Sequence, residues 1–229
     1  MTGVQTCALP IYRVDPEIRW FFGYVLGSCL LLGLLLWQQG VYPDFPSALR
    51  DASFSVISMA TTLGLATADF GAWPWFAGLW LLFLCSFSTS AGSTGGGIKM
   101  LRAVLLYKQM YRELLRVLHP RAEITIRLGE QAVPDKVIYA VLVFFFIYVG
   151  SIVSLSFVLS FTGLDVLTAF SAIVACINNT GPGLGEVGPA HTYAVLNDFQ
   201  TTVCSFAMLL GRLELFTLLV VLTPAFWRR

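Results

Sequence analysis

The sequence predicts an all-α integral membrane fold made of two units of one design: helix, re-entrant pore helix, extended filter-like segment, helix. Three observations predict it. Of the 229 residues, 57% are hydrophobic and only 12% are charged, about half the charge of an ordinary soluble domain (roughly 25%). The uncharged residues fall in long runs, and short polar segments recur at a fixed interval.

Residues 137–161 hold no ionisable group other than tyrosine. At about 1.5 Å per helical residue that run crosses a hydrocarbon core of about 30 Å. Residues 20–37 form a second run, and residues 199–227 a third, interrupted only by Arg212 and Glu214. The five cysteines (Cys7, Cys29, Cys85, Cys176 and Cys204) form no C-x-x-C pair, and four lie in or beside apolar runs. They read as small buried side chains rather than a disulfide or metal framework.

In the first unit an apolar helix over about 19–38 leads to residues 47–60, too short to span. Thr61-Thr62-Leu63-Gly64-Leu65 follows, then a long segment from Trp73. The second unit has an apolar helix over 136–162, a short segment over 165–177, then Asn178-Asn179-Thr180-Gly181-Pro182-Gly183 and a helix from Asp198. Gly64 and Gly181 are 117 positions apart, and so are Arg19 and Lys136. A shared offset at two landmarks marks an internal repeat. Phe54-Ser55-Val56-Ile57 and Phe170-Ser171-Ala172-Ile173 match at 116, a slip of one residue. The chain divides into a non-native N-terminal junction (1–11), a first pore repeat (12–112) whose second helix breaks at 90–99, a basic cytoplasmic linker (113–135) and a second pore repeat (136–229). The junction lacks the basic start and long apolar core of a signal peptide, and the native protein is expected to begin further upstream.

Charge orients the chain. Lys99, Arg102, Lys108, Arg112, Arg116, Arg121, Arg127 and Lys136 lie between the units, Arg13 and Arg19 precede the first helix, and Arg228 and Arg229 close the last. Twelve of the fourteen basic residues thus fall on one side, the cytoplasmic one by the positive-inside rule, with the C-terminus. Arg50 faces Asp44, Asp51, Asp69, Asp165, Glu186 and Asp198 on the other. That acidic face reads either as loop solvation or as a vestibule that concentrates cations.

Non-helical backbone at membrane depth is tolerated only where protein buries it or where it lines a watery path. Thr61, Thr62, Leu63 and Gly64, and Asn178, Asn179, Thr180 and Gly181, are the candidates. A K⁺ ion entering a narrow pore sheds its water, and inward-facing carbonyls can replace that shell. Glycine supplies the dihedrals that such aiming needs. Either segment alone is a commonplace turn; the recurrence after a short helix is what gives the pair weight. Residues 73–111 would measure about 58 Å as one helix. Ser90-Ala91-Gly92-Ser93-Thr94-Gly95-Gly96-Gly97-Ile98-Lys99 interrupts it, because each glycine weakens a helix by about 1 kcal/mol against alanine. The result is a polar loop below the first filter, or a plain cytoplasmic turn. A phosphate-binding loop is excluded, since Gly97-Ile98-Lys99-Met100 lacks the required Gly-Lys-[Ser/Thr].

Arg212 at membrane depth faces an interior cavity or snorkels to the interface. It does not share a helix face with Glu214 two positions on, and carbonyls of the 92–97 loop are candidate partners. His119 and His191 have no ligand-spaced companions, and Asn178-Asn179-Thr180 is a trivial match to the glycosylation pattern. Trp20, Trp37, Trp73, Trp75 and Trp227 read as interface anchors. An intramembrane hydrolase would need a constellation such as Ser/Lys or Asp/Asp at membrane depth, and none is evident.

These motifs resemble the Trk/Ktr/HKT superfamily of cation transporters. Residues 90–99 look like the gating loop of a third repeat, and residues 178–189 like a fourth filter and its exit. Met208-Leu209-Leu210-Gly211-Arg212-Leu213-Glu214 and Thr223-Pro224-Ala225-Phe226-Trp227-Arg228 look like the close of a bacterial Trk-type membrane subunit. The resemblance runs from about Tyr12 to Arg229. It implies half of a pseudo-fourfold cation pore in a bacterial cytoplasmic membrane, multi-pass, with K⁺ as the transported ion, no cofactor and no enzymatic activity. The eight filter residues named above would coordinate the ion. Gly92, Ser93, Thr94, Gly95, Gly96 and Gly97 would gate it, with Arg212 as barrier and anchor. The implied partners are the lipid bilayer, the missing N-terminal repeats, a second copy and a cytoplasmic nucleotide-binding regulatory subunit (TrkA-like), with no nucleic acid. Leu63 and Leu65 depart from the family, which more often has threonine and an aromatic there. Two repeats do not enclose an ion, so the chain is expected to be a truncated half, the alternatives being a half-channel that dimerises, a non-conducting fragment, or a polytopic membrane scaffold or enzyme.

Overall fold

The computed structural model describes residues 16–87, 89, 93, 95–119, 122, 124–128, 131–213, 220 and 224–227. Helix α1, Pro16–Gln38, has 23 residues, about 34 Å of helix. Its proline sits in the first turn, where no amide is needed. Gly40, at φ 71°, turns the chain back. Helix α2, Phe45–Ala60, starts at Asp44, whose carboxylate accepts from the Ser47 amide, satisfying one of the donors that a helix start leaves open. The two helices pack closely at Gly33, where an added Cβ would lie 3.2 Å from Leu49 Cα.

Helix α3, Trp75–Phe87, and helix α4, Met100–Leu118, follow; between them the described residues 89, 93 and 95–99 are non-helical. α4 continues to Leu118, past residue 112 where the first pore repeat is expected to end; the sequence from 100 to 118 holds no glycine or proline to stop it. The linker also carries a two-residue antiparallel ladder, β1 (Arg127–Leu128) with β2 (Gln131–Ala132). Arg112, nearly buried, is tied to Asp135 at 2.7 Å, which fastens α4 to the start of α5. The Arg102 guanidinium sits 4.2 Å from the centre of the Phe144 ring.

Helix α5, Asp135–Phe161, has 27 residues, about 40 Å. α1 and α5 are long and apolar enough to cross a membrane, yet only a minority of each is buried. On α5, Phe146, Phe157 and Phe161 are 80%, 71% and 94% exposed. An exposed apolar face of that kind suits lipid rather than water.

Helix α6, Val166–Asn178, is the centre of the molecule: every residue from Ser171 to Asn178 is buried, and α3, α5 and α7 pack against it. Asp165 caps its start by accepting from the Leu167 amide at 3.2 Å. Two short 3₁₀ turns, Gly185–Val187 and Tyr193–Val195, lead to helix α7, Asp198–Arg212. α7 opens with a capping box between Asn197 and Gln200, and Gln200 also donates to the Thr162 hydroxyl at 2.9 Å, tying it to the end of α5. The described chain ends with α8, Pro224–Trp227.

Candidate functional site

The segment after α2 is shaped by Ser58. Its carbonyl accepts from the Leu63 amide at 2.8 Å, and its hydroxyl donates to the Leu65 carbonyl at 2.6 Å. The Thr61 hydroxyl turns back to the Ile57 carbonyl at 2.7 Å. Thr62 (φ 56°) and Gly64 (φ 76°) both take left-handed backbone. The amides of Thr61 to Gly64 are thereby directed at the helix end. Among the described residues, no hydrogen bond is made to the carbonyls of Thr61, Thr62, Leu63 or Gly64. The Leu63 and Leu65 side chains are both 60% exposed.

The segment after α6 is built differently. Asn178, placed at the head of the extended segment by the sequence, is instead the last helical residue and fully buried. Its side-chain amide donates to the Val174 carbonyl one turn back, at 2.8 Å, and so holds it in the helix. The same amide donates to Ser86 Oγ at 3.2 Å, and Asn178 Oδ1 accepts from the Tyr148 hydroxyl at 3.0 Å. Asn179 is left-handed (φ 54°), and its side chain donates to the Met208 carbonyl on α7 at 3.3 Å. The Thr180 amide returns to Ala175, and Thr180 Oγ1 is buried with no partner among the described residues. The Gly181 carbonyl accepts from the Tyr193 hydroxyl at 2.8 Å. Ser171 clamps the exit, accepting from the Leu184 amide at 2.9 Å and donating to its carbonyl at 3.1 Å.

The two segments lie backbone against backbone. A Cβ on Gly64 would collide with the Thr180 carbonyl oxygen and come within 3.3 Å of Pro182 Cδ. Residues 95–97 of the glycine-rich stretch pack against both segments. A Cβ on Gly95 would lie 3.0 Å from Thr62 Oγ1, one on Gly96 2.7 Å from the Ile177 carbonyl, and one on Gly97 2.6 Å from Asn178 Oδ1. Thr89 Oγ1 donates to the Gly96 carbonyl at 2.8 Å, and the Ile98 amide donates to the Ser86 carbonyl at 2.9 Å. Gly92 and Thr94 lie outside the described residues, and Ser93 is exposed. Arg212 closes α7 with an exposed side chain. Its neighbour Gly211 is buried against Ile177, whose carbonyl a Cβ there would strike.

The bracing residues Ser58, Ser86, Thr89, Ser171 and Tyr193 are absent from the sequence-predicted set. Serines and threonines inside apolar helices are too common to single out. Tyr148 gives a faint signal, a phenol following Phe144-Phe145-Phe146-Ile147, since a buried tyrosine hydroxyl usually finds a partner.

Two helices long and apolar enough to cross a membrane accompany a pair of turn segments packed backbone against backbone. The chain belongs to the TrkH family of cation transport proteins, whose model matches residues 25–229. It is 42% identical over 221 residues to the Trk system potassium uptake protein TrkH of Salmonella typhimurium, a match covering 96% of this chain and 45% of that protein. It is 45% identical over 217 residues to the TrkH of Vibrio parahaemolyticus, covering 95% and 44%. The crystal structure of the potassium transporter TrkH from Vibrio parahaemolyticus superimposes with a TM-score of 0.89, covering 95% of this chain and 46% of that one. The chain thus spans less than half the length of these relatives.

Proposed function

We propose that this chain supplies two of the four quadrants of a K⁺ uptake pore in the bacterial cytoplasmic membrane. The observation that carries the reading is the seat of Gly64 on the Thr180 carbonyl, which brings two carbonyl-bearing turns side by side. The carbonyls of Thr61, Thr62, Leu63 and Gly64, and of Asn178, Asn179, Thr180 and Gly181, are the proposed ligands of the dehydrated ion. Carbonyl dipoles offset the lost hydration, and several adjacent weak sites let the ion leave as readily as it enters. The loop containing Gly92, Ser93, Thr94, Gly95, Gly96 and Gly97 gates the path from below. Arg212, next to the Gly211 that packs on Ile177, is the proposed barrier to a cation and anchor of the loop.

Two quadrants leave an ion open to one side, so the working pore takes two further repeats, preceding these in the full protein. The basic face around α4 lies in the cytoplasm with the C-terminus. There it meets a nucleotide-binding regulatory subunit, and the assembled protein pairs with a second copy. The test is rubidium flux into proteoliposomes, comparing this chain alone with the chain joined to the N-terminal half of a relative. Flux in the joined form alone supports the reading. Flux in the chain alone replaces it with a half-channel that dimerises. Two folded, silent samples overturn it and leave a polytopic scaffold.

A further inference from the structure

We infer that Asn178 couples the glycine-rich loop to the second filter-like segment, and that Tyr148 is the positioning residue that makes the coupling rigid. The inference rests on the permeation reading above and adds a mode of regulation to it. Asn178 is 0% exposed and Tyr148 is 2% exposed, so neither amide nor phenol has water to fall back on. The amide is oriented from both ends. Its oxygen takes the Tyr148 proton at 3.0 Å. Its nitrogen gives to Val174 O at 2.8 Å and Ser86 Oγ at 3.2 Å. Rotating the amide by half a turn would set oxygen against the Val174 carbonyl, so a single orientation is fixed.

That orientation forms the seat of the loop. At Gly97 a Cβ would lie 2.6 Å from Asn178 Oδ1 and 2.7 Å from the Ser86 carbonyl, and at Gly96 it would lie 3.0 Å from Asn178 Cα. The loop is held there by Thr89 Oγ1 on the Gly96 carbonyl and by the Ile98 amide on the Ser86 carbonyl. The next residues along the chain are Asn179 and Thr180, and Thr180 carries the carbonyl on which Gly64 rests. Ser86 joins the two, its carbonyl holding the Ile98 amide and its hydroxyl holding the Asn178 amide, so a loop leaving its seat frees Ser86, unpins Asn178 and shifts the backbone that follows it. Gate and filter move as one unit.

The test uses the full four-repeat protein in proteoliposomes, with Tyr148→Phe, Thr89→Val and the double variant, measuring basal rubidium flux and K⁺ over Na⁺ preference for each. Tyr148→Phe removes a buried donor behind the filter, and basal flux is expected to rise about threefold to tenfold, the scale of one hydrogen bond in a two-state balance. Thr89→Val frees the loop, and K⁺ over Na⁺ preference is expected to fall by a similar factor. The double variant should depart from the product of the single effects by at least about threefold. Ser86→Ala, which unpins the same amide from the other side, carries the test should Tyr148→Phe not reach the membrane. A conducting wild type whose loop variant keeps full selectivity, or whose double variant is multiplicative, overturns the coupling alone. A wild type that carries no ions overturns the permeation reading and the coupling with it.

Discussion

Replacing Gly64 by alanine tests the filter assignment most directly. The backbone there is at φ 76°, and left-handed backbone disfavours an L-residue by roughly 1–2 kcal/mol. The added methyl would also collide with the Thr180 carbonyl oxygen. Reaching ordinary contact takes a displacement on the order of 1 Å, in packing where overfilling typically costs about 1–3 kcal/mol. The combined penalty, about 2–5 kcal/mol, falls on the mutual position of two carbonyl-bearing turns. Most of the protein lies away from it, so the chain should still fold and reach the membrane. Discrimination between K⁺ and Na⁺ should drop at least about tenfold, the equivalent of about 1.4 kcal/mol. The assay is the reversal potential of the joined four-repeat protein under opposed K⁺ and Na⁺ gradients. A folded Gly64→Ala protein with unchanged selectivity would refute the placement of residues 61–64 at the ion path.

Gly181→Ala provides an internal contrast. Its φ is 104°, yet a Cβ would meet nothing within 4 Å, so only the conformational penalty applies, and selectivity should shift less than in Gly64→Ala. An equal or larger shift would show that the collision at Thr180 is not what matters. Arg212→Ala should raise basal flux in the joined protein if the guanidinium restrains the gate, and unchanged flux would remove that role. Gln200→Ala deletes the capping box of α7 and the tie to Thr162. It should lower unfolding stability by about 1–2 kcal/mol with ion preference intact, measured by thermal unfolding in detergent alongside the reversal potential.

The long helices were legible because a run such as 137–161 admits no other economical structure in lipid, and helix α5 fills Asp135–Phe161. The turning points at Gly64 and Gly181 were legible because left-handed backbone selects glycine, and both have positive φ. Asn178 was misplaced by one structural state, from turn to helix. What holds it there comes from Tyr148, thirty positions away, and from Ser86, ninety-two positions away. No local pattern encodes partners that distant. Tyr193, on the Gly181 carbonyl, was invisible for the same reason. The glycine stretch reveals that a helix must stop, but its docking beneath Ile177 and Asn178 depends on the surface that α6 presents.

The contacts of Gly64 with Thr180 and of Gly211 with Ile177 set glycine against a peptide carbonyl rather than a side chain. That has a genetic consequence. A clash between two side chains can be relieved by trimming the partner, but every residue carries the same carbonyl, so no substitution at Thr180 or Ile177 can make room. Revertants of an alanine at either glycine should therefore be true reversions or distant changes that let whole helices slide. These two glycines should stay fixed in a selection experiment even where substitutions at neighbouring positions are recovered.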